Sequence, residues 1–400
     1  MIVGTIVADP DPQPEPRFAA LPLAQREVAL LVVLSVAAGL LFATTRLLAG
    51  WARHQQALEA ATWYDRGEAA LHANQTDAGL DDLRHAVAAD RTSVPYALAL
   101  ARGLATAGHD DEAWQILQRL RGDQPEFAEI NYRLARLAVK RQDLADAIRY
   151  YHNAMYGTAS ADPQLSRHAI AIELASVLLA HGDRESALAE LIALTADLAA
   201  DSPDQLSVAD LFLQAGDPTR ALQHFQLAAK IEPDPALTGA GKAALALHDF
   251  PAAEQYWRDA SRHGADVAAE LRLVRLVLAT DPLAARITPA DRAGRLGAGL
   301  AYAAQRLSGC RPAAGAAAPE AGTAACAAPN ATGAVDDELA RFRAAHTGVS
   351  LSDQDVLAQG VALVARAVAE ATRRCGPPAA GGADLDRAWQ LIAGAHRSGA

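Results

Sequence analysis

Ser202–Pro233, SPDQLSVADLFLQAGDPTRALQHFQLAAKIEP, constrains the fold more than any other stretch of the chain. It reads as two helices broken at Gly216 and Asp217. The first carries Leu206, Val208, Ala209, Leu211, Phe212 and Leu213. The second carries Ala221, Leu222, Phe225 and Ala228, spaced so that one face is apolar. Pro233 stops the second helix, because its ring clashes with the preceding turn and it has no N–H to donate. A single hairpin of this kind cannot bury its apolar face, whereas stacked hairpins share a continuous core.

The pattern recurs. Ala60–Ser93 carries Trp63 and Gly67 in its first helix, then Leu83 and Ala86. Val94–Phe127 has Gly108, Ala113, Leu117, Leu120 and Pro125, and Ala128–Ala161 has Leu134, Ala147, Tyr151 and Ala154. After the insertion Asp162–Arg167, His168–Asp201 brings Gly182, Asp183, Ala187 and Leu191. Ser202–Pro233 is the fifth unit, and Asp234–Val267 adds Gly241, Ala253, Trp257 and Ala260. The order small, aromatic, small, proline at Ala221, Phe225, Ala228 and Pro233, repeated at about 34 residues, resembles the tetratricopeptide repeat (TPR) family. The first-helix Trp is missing from the second to sixth units.

The resemblance covers 60–267, about half of the chain. It implies an all-α, right-handed superhelical solenoid of about six helix pairs, with the first helices lining a concave surface that holds a partner segment. Carried over by phase, the groove positions are Tyr64, Glu68, Arg102, Tyr132, Arg133, Arg136 and Lys140. A basic cluster with an aromatic there suits a carboxylate or an acidic peptide. The competing reading is a solvated helix face, since exposed charge contributes little beyond solubility. The later positions Leu206, Asp210, Leu213 and Leu245 are more apolar or acidic.

Upstream of the repeats, residues 1–27 include DPDPQPEPR, whose alternating prolines and acids predict an extended tail. Val28–Thr45 then runs without a charge, and Leu47 and Leu48 lengthen it to a single transmembrane helix over 28–49. Arg46 and Trp51 stand where a span meets headgroups. The alternative is a buried core helix. Arg17 and Arg26 before the span balance Arg46 and Arg53 after it, so charge does not orient it. Ser35, Gly39 and Ala43 align small side chains on one face, which suits self-association of two spans.

Downstream, Ala268–Thr280 and Pro289–Ser308 are expected as capping helices over 268–309, the second entered through Thr288 as N-cap. An Ala/Gly/Pro-rich linker fills 310–334. A helical segment follows over 335–400, with helices at Asp336–His346, Ser352–Arg374 and Asp384–His396. Ser352 and Asp355 make a capping-box-like start for the second of these. If the helices ending at Ser308 and Arg374 run parallel, Cys310 and Cys375 meet, with Cys326 as the competing partner. A bridge would place this region outside the cytoplasm; three reduced thiols would place it inside.

Composition narrows the function. A net charge of −11 without a clustered basic face argues against nucleic acid. No C-x-x-C, no histidine pair at ligand spacing and no nucleophile–base arrangement points to a metal, a cofactor or catalysis. Gly239-Ala240-Gly241-Lys242 lacks the first glycine, the Ser/Thr and the strand of a phosphate loop. The expectation is a non-enzymatic, single-pass scaffold or assembly factor of a bacterial inner membrane, its repeats in the periplasm. It contacts proteins of an envelope complex and the bilayer through 28–49. The alternatives are a structural subunit of a larger envelope complex, or an enzyme subunit with its chemistry in the C-terminal region.

Overall fold

The computed structural model describes residues 23–158, 165–309, 333–346, 351, 353–378 and 382–397. The described residues are almost wholly helical, and their only sheet-like feature is an isolated bridge between Phe127 and Thr158. The chain divides into two units, Met1–Ala161 and Asp162–Ala400.

The first unit holds α1 (Leu23–His72), α2 (Thr76–Ala89), α3 (Val94–Thr106), α4 (Asp110–Asp123), α5 (Ala128–Lys140) and α6 (Leu144–Met155). Consecutive helices pair as hairpins α1/α2, α3/α4 and α5/α6, and each hairpin packs on the next. In the first, Trp63 stacks on His85 at 4.8 Å while Gly67 and Gly79 face one another, so α1 and α2 run antiparallel and close. A Cβ at Gly67 would lie 2.7 Å from Leu83 Cγ, which explains why the position is glycine.

The apolar segment is not a separate element. It is the first half of the 50-residue helix α1, which runs into the first repeat without a break. Gly50 lies at the junction, but a lone glycine costs a helix only about 1 kcal/mol and no proline follows it. Large apolar side chains from Val28 to Trp51 are exposed, among them Leu41 at 70% and Leu47 at 74%, and Ala60 is the first buried residue among those described. Ser35, Gly39 and Ala43 all lie on this uncovered part.

In the second unit, α7 (Arg167–Ala180)/α8 (Arg184–Thr195), α9 (Gln205–Ala215)/α10 (Pro218–Ala228) and α11 (Pro233–Ala246)/α12 (Phe250–Arg262) form three more hairpins. Their second helices bury the repeating small and large residues: Ala187 and Leu191, then Ala221, Phe225 and Ala228, then Ala253, Trp257 and Ala260. Gly239 and Gly241 on α11 make room for the rings of Phe225 and Trp257. Pro233 does not end α10, which stops at Ala228; it opens α11, where a missing N–H costs nothing.

All six hairpins turn on one residue in the left-handed region, with φ from 57° to 90°: Asn74, Gly108, Gln142, Gly182, Gly216 and His248. After four of them an aspartate caps the next helix. Asp143, Asp183, Asp217 and Asp249 each accept from the backbone N–H three residues on. The turn therefore has its own local chemistry: a residue that tolerates positive φ, then a carboxylate for an orphan donor.

Beyond α12 the order in sequence and the order in space part company. The remaining helices are α13 (Ala268–Thr280), α14 (Pro289–Ser308), α15 (Gly333–Ala345), α16 (Gln354–Cys375) and α17 (Gly382–Arg397). The expected capping pair of α13 and α14 scarcely touches. α13 packs instead on α17, and α14 packs on α16. α14 and α16 run parallel, since Leu296 meets Gly360 and Arg306 reaches Thr372 at 3.1 Å. Thr288 caps α14 through Asp291 N as expected. The cap of α16 is Asp353, which accepts from Asp355 and Val356 N–H, while Ser352 lies outside the described residues.

Candidate functional site

In the first unit, the first helices of the three hairpins carry the expected groove residues. Glu68, Arg102 and Arg136 follow one another at 34-residue spacing, so they occupy one position in successive hairpins. Arg102 donates to Glu68 across α1 and α3. Tyr64 lies beside Tyr96, ring centroids 5.0 Å apart. Burial, and then the charge of Glu68, pushes the Tyr64 phenol up, so it stays a hydrogen-bond donor. On α5, the Arg136 guanidinium lies 5.8 Å from the centre of the Tyr132 ring, which in turn meets Tyr151 edge-on at 6.3 Å.

The other two cations of the cluster are committed. Arg133 Nε donates to Glu129 at 2.9 Å, and both side chains are largely covered, at 19% and 10% exposure. Lys140 Nζ donates to Asp110 at 2.7 Å and to the Ala105 carbonyl at 3.0 Å, clamping α5 to the α3–α4 turn. The surface is thus a set of tyrosines with internally compensated charge rather than an open basic patch. Sequence reasoning missed Tyr96, Glu129 and Asp110. The 34-residue step from Glu68 to Arg102 was the available signal for compensation, since side chains one repeat apart on adjacent first helices come within reach.

The equivalent positions in the second unit are Ser176, Asp210 and Lys242. Burial raises the Asp210 carboxyl above its ordinary value, and the charge of Lys242 pulls it back. Leu206, Leu213 and Leu245 stand half-buried nearby on the same helices.

A second polar centre, unmarked in the sequence, lies among α14, α16 and α17. Asp386 is buried at 8% exposure. Its Oδ2 accepts from Arg306 Nη2 and Thr372 Oγ1, each at 3.0 Å, and its Oδ1 from the Tyr302 hydroxyl. Tyr302 is pushed up by burial first and by that carboxylate second, which keeps it protonated as the donor. Cys375, one turn beyond Thr372, is disulfide-bonded. Cys310 and Cys326 lie outside the described residues. Among the described residues no three His, Cys, Asp or Glu side chains are grouped to hold a metal ion.

These elements define an all-α fold of tetratricopeptide type, with six helical hairpins that share a common turn among the described residues. No family model matches the chain, and no curated protein matches it either. Among solved structures it is similar to the PilF protein of Pseudomonas aeruginosa, at 17% identity over 55% of this chain and 98% of that one, with a TM-score of 0.40. It is also similar to PilW, described as a widely conserved type IV pilus biogenesis factor, at 18% identity over 54% and 98%, TM-score 0.39. A tetratricopeptide protein of Thermus thermophilus matches at 19% identity over 47% and 98%, TM-score 0.33. Likenesses this low carry no argument about function. The hairpins and turns of the chain itself carry the fold description.

Proposed function

We propose that the protein is a non-enzymatic scaffold, anchored in a membrane by residues 28–49, that holds a segment of a partner protein along its first-helix faces. The observation that carries the reading is the tyrosine surface of Tyr64, Tyr96 and Tyr132, with Arg102 and Arg136 exposed beside it. Aromatic rings give large contact area at small entropic cost, and the arginines add directional donors at the rim. Compensation of Arg102, Arg133 and Lys140 by Glu68, Glu129 and Asp110 argues for a partner of mixed character over a purely acidic peptide.

The anchor reading is supported by the uncovered apolar half of α1, because a soluble protein rarely leaves such a surface in water. Residues 28–49 at 1.5 Å each make a helix about 33 Å long, enough for a hydrocarbon core. The small face of Ser35, Gly39 and Ala43 suits pairing of two such spans. The disulfide at Cys375 and the parallel course of α14 and α16 support a Cys310–Cys375 bridge, and such a bridge suits an oxidising compartment such as a bacterial periplasm.

A site-resolved crosslink tests the reading. A photoreactive side chain at Arg102 or Arg136 should capture a partner protein in membranes. The same group at Arg119, exposed on the second helix α4, should not. Equal capture at all three positions overturns the groove assignment.

A further inference from the structure

We infer that the C-terminal body carries a binding pocket for a small molecule with an apolar body and one carboxylate. The pocket is an open cleft of about 570 Å³ between the end of α16 and the start of α17. Its wall is made by Val368, Ala369, Pro377, Pro378 and Ala383, with Thr372 and Asp386 at the base and Arg373, Arg387 and Gln390 at the edge. A concave, mostly apolar space with a few convergent polar groups is the usual form of a small-molecule site.

Charge bookkeeping around the pocket gives the sign of the ligand. Asp386 is already committed to Arg306, Thr372 and Tyr302. Arg374 is held by Asp336 at 3.1 Å and by Glu370 at 2.6 Å, and Arg373 leans on the same Glu370. No carboxylate among the described residues lies within ion-pair distance of Arg387, one turn into α17. One guanidinium is therefore left over at the mouth; Asp384, the carboxylate of the opening turn of α17, is not among the residues that line the pocket. A cationic ligand would have to compete with three donors for Asp386; an anionic one meets an unclaimed partner.

The pocket is also held in shape. Asp386 ties α17 to α14 and α16, and Arg306 bonds the Gly376 carbonyl at 3.4 Å. Cys375 is disulfide-bonded one residue before that turn. Preorganisation of this kind lowers the cost of ordering a site around a ligand. None of these groups belongs to the tyrosine surface, so the inference stands apart from the scaffold reading.

Phenylglyoxal labelling of arginines in the full chain held in membranes, read by mass spectrometry, tests it. With 4-phenylbutanoate at about ten times its Kd, labelling of Arg387 should slow about tenfold while that of Arg119 is unchanged. The isosteres 4-phenylbutylamine and 4-phenylbutanol should leave Arg387 unprotected. Ala383→Phe, and separately Ala369→Leu, should abolish protection in chains whose helical circular dichroism is retained. Equal protection by the amine or the alcohol, protection at Arg119, or protection that persists in both filled variants overturns the assignment. Protection only by a peptide ending in a free carboxylate overturns it too, in favour of a protein terminus as occupant.

Discussion

Gly297 and Gly299 lie two residues apart on α14 and make opposite predictions for the same substitution. In a helix interior, Gly→Ala ordinarily stabilises by up to about 1 kcal/mol, because glycine has more backbone freedom to lose. At Gly297 a Cβ meets nothing within 4 Å, so Gly297→Ala should show that gain. At Gly299 the Cβ would lie 2.2 Å from Trp389 Cζ2 and 2.5 Å from Cη2. Trp389 is 1% exposed, packed in the core of the C-terminal helices. Overpacking of this kind costs about 1–3 kcal/mol. The propensity gain is common to both variants, so their difference in urea stability isolates the clash at about that size. Circular dichroism and tryptophan fluorescence should both follow the transition. In a Trp389→Leu background the ring is gone, and Gly299→Ala should cost nothing further, as a double-mutant cycle would report. If both alanines stabilise equally in the parent chain, Trp389 of α17 does not pack against Gly299 of α14 and the reasoning fails.

Two titrating groups, Asp210 with its carboxyl partly screened from water on an otherwise exposed residue and the half-buried His224, give predictions of opposite sign. Burial disfavours the charged form of Asp210 in the fold, so its contribution is fully present below its ordinary value of 3.8 and is lost as pH rises through the folded value. Asp210→Asn should therefore raise the urea midpoint near neutral pH and lose that advantage in acid below 3.8. His224 is pushed down by burial and then by the charge of Arg220, while its ring stacks on Phe212 at 5.3 Å and its Nδ1 bonds Gln205 at 2.7 Å. Its contribution is fully present above 6.5 and is lost as pH falls, because the unfolded chain takes up the proton first. The urea midpoint of the parent should drop on acidification below 6.5, and a His224→Leu chain should show a smaller drop over that range.

Much of the repeat region was legible one residue at a time. The small–aromatic–small order on the second helices, Gly108, Gly182 and Gly216 in the turns, and Thr288 before Pro289 are local signals, and the structure uses each of them. The other three turns were less legible, because Asn74, Gln142 and His248 stand in left-handed geometry that is uncommon for any residue with a side chain, although Asn and His adopt it more readily than most. The candidate surface was half legible. Phase placed Tyr64, Glu68, Arg102 and Arg136 on first helices, but the pairing that cancels their charge depends on which helices become neighbours.

The sequence by itself determined the helices, the hairpins and the apolar half of α1, because backbone preference and periodicity act over a turn or two of chain. Only the tertiary structure decided that α1 is one continuous rod, that α17 rather than α14 closes the flank of α13, and that Asp386 gathers Tyr302, Arg306 and Thr372 into one buried centre. An open helix flank takes whichever later segment fills its volume and satisfies its polar groups. That competition is settled by shape and burial across about a hundred residues of intervening chain, and local pattern does not carry it.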